Sequence, residues 1–177
     1  LNNGFSSSFV GGDGKSLFAT DHPLVGGGTN SNRPSSGVDL NETSLEAAIV
    51  QIQQWKDERG LLIAAKPVKL VVPPALQFVA ERLMKTQLRV GTSDNDINAV
   101  VSMGAVPGGY TVNNFLTDSN AWFIKTDVPN GLKMFVRKAM ETGMDTDFDT
   151  GNSRFKARER YSTGWSDALG MWGSPGA

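Results

Sequence analysis

The chain has 177 residues, 39% of them hydrophobic and 20% charged, which is enough for one sizeable domain or two small ones. Its net charge of −1 excludes a protein that binds nucleic acid over its whole surface, so any basic surface must be local. It has no cysteine for disulfides or thiolate metal sites, and no apolar run of the roughly 18 residues that a membrane span requires, so no membrane partner is expected.

Residues 1–40 are rich in Gly, Ser and Asn and have little periodicity, which is typical of an extended segment that wraps around a core. Its first residues, Leu1-Asn2-Asn3-Gly4, are typical of a helix C-terminus whose Asn and Gly take the left-handed conformation. They lack the basic-then-apolar order of a signal peptide, and we expect the chain to be a fragment of a longer protein.

Two motifs in this segment resemble functional sites and are rejected. Gly14-Lys15-Ser16 matches the end of a phosphate-binding loop, but Phe9 stands where that loop needs glycine. The only histidine, His22, precedes a proline, and without a nucleophile placed by the fold it is expected to be structural.

A helix is predicted over Thr43–Arg59. Thr43 and Glu46 have the spacing of a capping box, in which each side chain binds a backbone amide of the first turn. Gly60 provides a stop. Apolar residues follow at helical spacing: Leu45, Ile49, Ile52 and, less regularly, Trp55.

A buried strand is predicted over Lys69–Val72, ended by Pro73-Pro74, which begin a second helix. The apolar face of that helix is expected to consist of Leu76, Val79 and Leu83, flanked by Phe78 and Ala80. A long exposed loop over Leu88–Gly109 follows.

The remaining chain is predicted to be mostly strand, which gives an α+β fold without a βαβ repeat. Strands are expected over Tyr110–Leu116 and Ala121–Thr126, with a turn at Pro129-Asn130-Gly131. Alternation then begins at Leu132 and leads to the stretch Asp145–Trp172.

That stretch contains the most distinctive pattern in the chain. It turns at Gly151-Asn152, after which Arg154, Lys156, Arg158 and Arg160 alternate and so share one face of a strand. The opposite face, with Phe155, Ala157, Glu159 and Tyr161, is expected to be packed. The cationic row has three readings: a solvated face, a contact with an acidic surface of a partner or a neighbouring copy, or a contact with packaged nucleic acid.

Asp145, Asp147 and Asp149 precede the turn at every second residue. Their spacing invites a calcium site, but the helix-loop-helix calcium motif requires glycine at Thr150 and glutamate at Lys156. A solvated acidic turn is therefore favoured, with a looser carboxylate or calcium site of a small hydrolase as the alternative. No catalytic, zinc or cofactor motif is found, so we predict a protein that is not an enzyme and has no cofactor.

The sequence resembles the major capsid protein of tailed bacteriophages, which has the Hong Kong ninety-seven fold, and is most similar to the Mu-like major head subunit branch. The segments that carry the resemblance are 12–24, 69–86, 102–118 and 147–165. The resemblance implies a virion subunit, assembled in the host cytoplasm, that forms hexamers and pentamers of an icosahedral shell around double-stranded DNA. A cellular, encapsulin-like shell protein is the alternative with the same fold.

The resemblance also implies a domain division. Residues 41–126 would form the axial domain, with 1–40 as an extended segment and part of the peripheral domain, and 127–177 as peripheral strands. The N-terminal arm, extended loop and spine helix of the family would precede Leu1, whose segment would end that helix. The implied partners are other copies, packaged DNA and portal, scaffold and decoration proteins. The cationic row and the acidic turn would then be contact surfaces.

Overall fold

A computed structural model describes residues 1–88 and 96–177 and shows a mixed α+β protein. Its elements, in chain order, are β1 (His22–Pro23), β2 (Thr29–Asn30), α1 (Glu42–Gln53), β3 (Pro67–Val72), α2 (Gln77–Lys85), α3 (Ala99–Ser102), β4 (Tyr110–Val112), β5 (Trp122–Thr126), β6 (Leu132–Thr146), β7 (Ser153–Trp165) and β8 (Met171–Ser174). Short 3₁₀ turns at Pro74–Leu76 and Ala168–Gly170 precede α2 and β8.

Helix α1 forms where a helix was predicted, but its ends were predicted wrongly. The capping residue is Asn41, whose side chain accepts a hydrogen bond from the Ser44 amide at 2.9 Å while the Ser44 hydroxyl accepts one from the Asn41 amide at 3.0 Å. The capping box predicted at Thr43 is therefore displaced by two residues, because asparagine caps a helix at least as well as threonine. At the other end, Gly60 has a positive φ of 84° in a turn after Asp57, well beyond the last helical residue.

A four-stranded sheet with the order β4-β3-β5-β8 lies under the helices. Strand β3 is parallel to β4 and antiparallel to β5, and β8 is antiparallel to β5. The predicted strand over Tyr110–Leu116 ends at Val112, and β8 had no signal in the sequence because its four residues include glycine and serine.

The main core fills the space between this sheet, α1 and α2. Its buried members include Leu45, Ile49, Ile52, Leu70, Val72 and Ala80. The predicted face of α2 is largely confirmed, since Leu76, Val79 and Leu83 pack against this core. Phe78 is the exception, because 69% of its surface is exposed.

Three buried tryptophans connect this core to the loops around it. Trp122 and Trp172 pack with ring centroids 4.8 Å apart, and the Trp122 indole donates to the Val38 carbonyl at 2.9 Å. The Trp55 indole donates to the Ser31 carbonyl at 2.8 Å. Because a buried indole N–H needs an acceptor, these bonds hold the segment before α1 against the core.

The N-terminal segment wraps around the sheet as predicted and contributes a second apolar cluster. Phe18 lies 5.2 Å from Phe123 of β5 and 4.8 Å from Phe5, measured between ring centroids. The predicted helix end at the first four residues is not observed: the Gly4 amide donates to the Leu1 carbonyl in a turn, and none of these residues has a left-handed φ.

The predicted loop over Leu88–Gly109 lies partly outside the described residues, which omit 89–95. Its described part contains the short helix α3, capped by the Asn98 side chain. The turn predicted at Pro129-Asn130-Gly131 is confirmed, with Asn130 at a φ of 64°. Within the described residues, no helix is both long and apolar enough to cross a membrane.

Candidate assembly surface

The candidate surface is a long hairpin formed by β6 and β7. The two strands pair from Leu132 and Trp165 at the stem to Thr146 and Ser153 near the turn. At about 3.3 Å per residue, the 15 residues of β6 extend roughly 50 Å. In the described part of the chain, the two strands form a sheet of their own, and their outer edges pair with no other strand.

The turn of the hairpin is closed by backbone hydrogen bonds around Gly151. The Asp147 amide donates to the Asn152 carbonyl at 2.9 Å, and the Gly151 amide donates to the Asp147 carbonyl at 2.8 Å. Gly151 has a φ of 68°, a conformation that glycine adopts without steric cost. The predicted turn at Gly151-Asn152 is therefore observed, as part of the loop between β6 and β7.

Two bulges in β6 decide which of its residues share a face. The register shifts between Val136 and Lys138 and again between Lys138 and Glu141, so β6 uses two more residues than β7 over the same length. Each extra residue moves the following side chains to the other face. Lys138, which simple alternation would place on the same face as Val136, is thereby placed on the face of Glu141, and the second bulge restores the original alternation from Glu141 onward.

The predicted cationic row lies along β7 and is exposed at all four positions. Two of its members have a carboxylate directly across the strand pair: Arg154 is opposite Asp145, and Arg158 is opposite Glu141. Lys156 is opposite a glycine and Arg160 is opposite Lys138. The hairpin therefore relieves part of the repulsion within the row and leaves an excess of positive charge on this face.

The acidic turn is engaged by the hairpin itself. Asp147 accepts a hydrogen bond from the Arg154 guanidinium at 2.5 Å, and Asp145 accepts one from the Thr146 amide at 2.9 Å. The Asp149 amide donates to the Asp147 carboxylate at 3.3 Å. No group of three potential metal ligands is found in residues 1–88 and 96–177, and the turn offers no set of free carboxylates for a calcium ion.

The opposite face of the hairpin is mostly apolar, apart from Glu159, and it is exposed, contrary to the expectation that it is packed. The expectation was wrong because no other layer of the described chain covers this face. Six of its side chains have between 50% and 78% of their surface exposed: Leu132, Met134, Val136, Met144, Phe155 and Tyr161.

Comparison with known families decides the class of the protein. A family profile described as "Phage capsid protein" matches residues 2–173. The chain belongs to the phage capsid protein family. Members of such a family are structural proteins, and an extended hairpin with an exposed apolar face suits a subunit that is surrounded by other subunits.

This capsid protein is also similar to a solved structure. A virus-like particle protein from Pyrococcus furiosus is similar in structure, with a TM-score of 0.44 and 12% sequence identity over 82% of this chain and 56% of that one. The capsid protein chain thus spans about half the length of that protein. None of the curated proteins is significantly similar to it in sequence.

A buried polar network joins the N-terminal segment of the capsid protein to the loop before β8. His22 is 95% buried, with Nδ1 at 2.5 Å from the Asp13 carboxylate and Nε2 at 3.2 Å from Oδ1 of Asn32. Partial burial acts to raise the pKa of Asp13. The hydrogen bonds from His22 and the Lys15 amide, together with the charge of the imidazole, outweigh this effect and lower that pKa.

Asn32 is the centre of this network and is completely buried. Its Oδ1 accepts the Ala19 amide at 3.0 Å. Its Nδ2 donates to three carbonyls, those of Leu17 at 2.7 Å, Ala168 at 2.9 Å and Met171 at 3.2 Å. Sequence reasoning missed Asn32, since its partners are up to 139 residues away and no local spacing rule identifies it. His22 has the structural role that was expected.

A cavity of about 580 Å³ adjoins this network, and acidic side chains line it. Each of its other carboxylates already accepts a backbone amide: Asp57 from Arg59 and Leu61, Glu58 from Val25, Asp127 from Lys66 and Asp167 from Leu169. The carboxylates therefore hold loops in place. Among the described residues, no group of three or more side chains is placed to hold a metal ion.

Proposed function

We propose that this chain is the major capsid subunit of a tailed bacteriophage, with the Hong Kong ninety-seven fold and closest to the Mu-like head subunit branch. The subunit assembles in the host cytoplasm into hexamers and pentamers of an icosahedral head that encloses double-stranded DNA. The family match over residues 2–173 is the observation that carries the proposal. The exposed hairpin supports it, because its apolar face has no cover within the described chain.

In this proposal, residues 41–126 form the axial part of the subunit, whereas 1–40 and 127–177 form its peripheral part. Strand β8 belongs to the last segment but pairs with β5, so the peripheral part also completes the axial sheet. Residues 88–109 would meet their counterparts at the centre of a capsomer. Portal, scaffold and decoration proteins would be further partners.

The cationic row has a specific role in this proposal. Arg154, Lys156, Arg158 and Arg160 face either the carboxylates of a neighbouring subunit or the DNA-filled interior. The acidic turn, with Asp145, Asp147 and Asp149, is a second contact surface. Support comes from the charge balance of the exposed face. Lys156 and Arg160 lack opposed carboxylates on the hairpin, and DNA phosphates or a neighbour's carboxylates would neutralise them.

The direct test is electron microscopy of particles purified from cells that express the full-length gene product. Closed shells of repeated capsomers that protect double-stranded DNA from nuclease support the proposal. Shells that enclose protein instead of DNA identify an encapsulin-like compartment. A monomer whose melting temperature or hydrolytic activity depends on calcium, and loses that dependence in Asp147→Asn, would identify the hydrolase and refute the proposal.

Neutral variants separate the two roles of the row. If the row faces DNA, the variant Lys156→Gln/Arg160→Gln should still form normal empty shells. Its filled shells should contain less DNA or release their DNA at lower salt. A row that faces a neighbour's carboxylates instead gives fewer shells, with or without DNA. Arg59→Gln, which removes an exposed cation from a turn outside the hairpin, is the matched control and should leave both measurements unchanged.

A further inference from the structure

The side-chain amide of Asn32 has only one orientation that its surroundings allow. Three carbonyls, those of Leu17, Ala168 and Met171, lie around Nδ2, and a carbonyl accepts hydrogen bonds but cannot donate them. The NH₂ group must therefore lie on that side, and Oδ1 lies between the Ala19 amide and Nε2 of His22. Because Oδ1 can only accept, Nε2 of His22 carries a proton and donates it to Asn32.

The other ring nitrogen of His22 requires a proton as well. Nδ1 lies 2.5 Å from the Asp13 carboxylate, and two acceptors do not approach so closely unless a proton lies between them. A neutral imidazole has a single N–H, which Nε2 already uses for its bond to Asn32. A second proton is therefore held between His22 and Asp13.

This second proton lies on the ring rather than on the carboxyl group. Partial burial acts to raise the pKa of Asp13, but the hydrogen bonds from His22 and the Lys15 amide lower that pKa overall, so the carboxyl group is ionised at neutral pH. With both nitrogens protonated, His22 is an imidazolium ion paired with Asp13, although only 7% of the His22 side chain is exposed.

The charged groups near His22 in the described part of the chain favour this cationic form. Two lysines, Lys15 and Lys56, lie beside the network or in the lining of its cavity, and Lys15 is paired with Asp21. Carboxylates outnumber them: Asp13, Asp21, Asp57, Glu58, Asp127 and Asp167. An excess of negative charge around a buried imidazole stabilises its protonated state.

The bond between Asp13 and His22 holds a loop against the base of the hairpin. Asp13 lies in the loop 11–15, which is closed by the Gly11 amide donating to the Lys15 carbonyl at 2.7 Å. Gly11 packs so closely on Trp165, the last residue of β7, that an added Cβ would lie 2.7 Å from Nε1 of the indole. His22 is held in turn by Asn32, so the pair connects the loop to the rest of the network.

We propose that His22 is a proton-dependent latch between the N-terminal segment and the base of the β6–β7 hairpin. The imidazolium closes the latch, because it donates to Asp13 and to Asn32 at the same time. When the pH rises and one ring proton passes to a base in solution, two acceptors face each other at one of these contacts, and the loop 11–15 separates from Trp165. The Asp13 side chain is 28% exposed, which gives the proton a route to solvent. The latch acts within a single chain and does not depend on the proposed assembly.

The charge of His22 can be measured by ¹⁵N NMR of its ring nitrogens at pH 7.5, where an exposed histidine is about 90% neutral. We expect both nitrogens of the natural protein to have the shifts of an imidazolium. Asp13→Asn is the matched variant, because its carbonyl oxygen still accepts the Lys15 amide while its NH₂ group donates to Nδ1 of a neutral ring. That variant should show one protonated and one unprotonated nitrogen. A neutral ring in the natural protein, or an imidazolium in Asp13→Asn, would overturn the proposal.

Acrylamide quenching of tryptophan fluorescence measures whether the latch opens. Trp55, Trp122 and Trp172 are buried, so acrylamide reaches mainly the half-buried Trp165. Between pH 6.5 and pH 9.5, the quenching constant of the natural protein should rise at least about twofold, and that of Asp13→Asn should stay constant. Trp165→Phe should abolish the rise. No rise in the natural protein, an equal rise in Asp13→Asn, or a rise that persists in Trp165→Phe would each contradict the latch.

Discussion

The substitution Asn32→Asp tests the buried polar network with the smallest change of shape. It replaces one NH₂ group by oxygen in a side chain with no solvent exposure. Three carbonyls accept hydrogen bonds from Nδ2, at 2.7, 2.9 and 3.2 Å. In the variant, they face an acceptor in place of this donor. The NH₂ group has two hydrogens, which the three carbonyls share, so about two hydrogen bonds are lost; at about 1–3 kcal/mol each, this gives roughly 2–6 kcal/mol in total.

Part of this cost is offset by the bonds to Oδ1. The Ala19 amide and the His22 imidazole would now donate to a charged oxygen, and each such bond strengthens by about 1 kcal/mol. We therefore expect a net loss of about 2 kcal/mol. For a chain of this length, 1 kcal/mol lowers the melting temperature by about 2–4 °C, so the variant should melt about 4–8 °C lower.

Thermal unfolding followed by tryptophan fluorescence measures this effect, since Trp55, Trp122 and Trp172 are buried. Asn30→Asp is the graded control, because Asn30 donates one hydrogen bond, to the Lys56 carbonyl at 2.7 Å. Asn114→Asp, at an exposed position, should have almost no effect. Equal melting temperatures for the Asn32 and Asn114 variants would refute the view that the network holds the N-terminal segment to the loop before β8.

Three further predictions concern stability. Gly170→Ala should destabilise the fold by about 1–3 kcal/mol, because the added Cβ would lie 2.4 Å from Cα of Gly131, whereas Gly164→Ala should be tolerated since its Cβ would meet only a side chain at 3.7 Å. Asn41→Ala should cost about 1 kcal/mol through loss of the α1 cap, and an unchanged melting temperature would contradict that role. The lowered pKa of Asp13 means that its bond to the only histidine stabilises the fold above about pH 4 and is lost as the pH falls through the lowered pKa. The difference in melting temperature between the natural protein and Asp13→Asn should accordingly shrink from pH 6 to pH 3, and a constant difference would contradict this explanation.

The sequence predicted those parts of the fold whose signals are local. Helical spacing identified the buried face of α1, and Pro73-Pro74 marked the boundary between β3 and the following helix. The positions of Gly151 and Asn130 located two turns, because a positive φ favours these residue types. The helix cap was missed by two residues, since the chain offers both Asn41 and Thr43 and the tertiary fold selects between them.

The sequence also predicted part of the candidate surface, because the signal for that part is local. Regular alternation in β7 was sufficient to place its four cations on one face. The partners of those cations could not be predicted, because the two bulges of β6 change which residues stand opposite. Nor does alternation reveal whether the second face is covered, which depends on whether another layer of the fold reaches it.

By itself, the sequence determined the class of the protein and its local elements: an α+β chain with capsid-like segments, a helix, a buried strand and a cationic strand with an acidic turn. The tertiary structure decided the features that depend on distant contacts. It brought Asn32 to the carbonyl of Met171, it placed β8 beside β5, and it left the apolar face of the hairpin open. Periodicity follows from the geometry of one segment, whereas burial and hydrogen-bond partners depend on the packing of segments far apart in the chain.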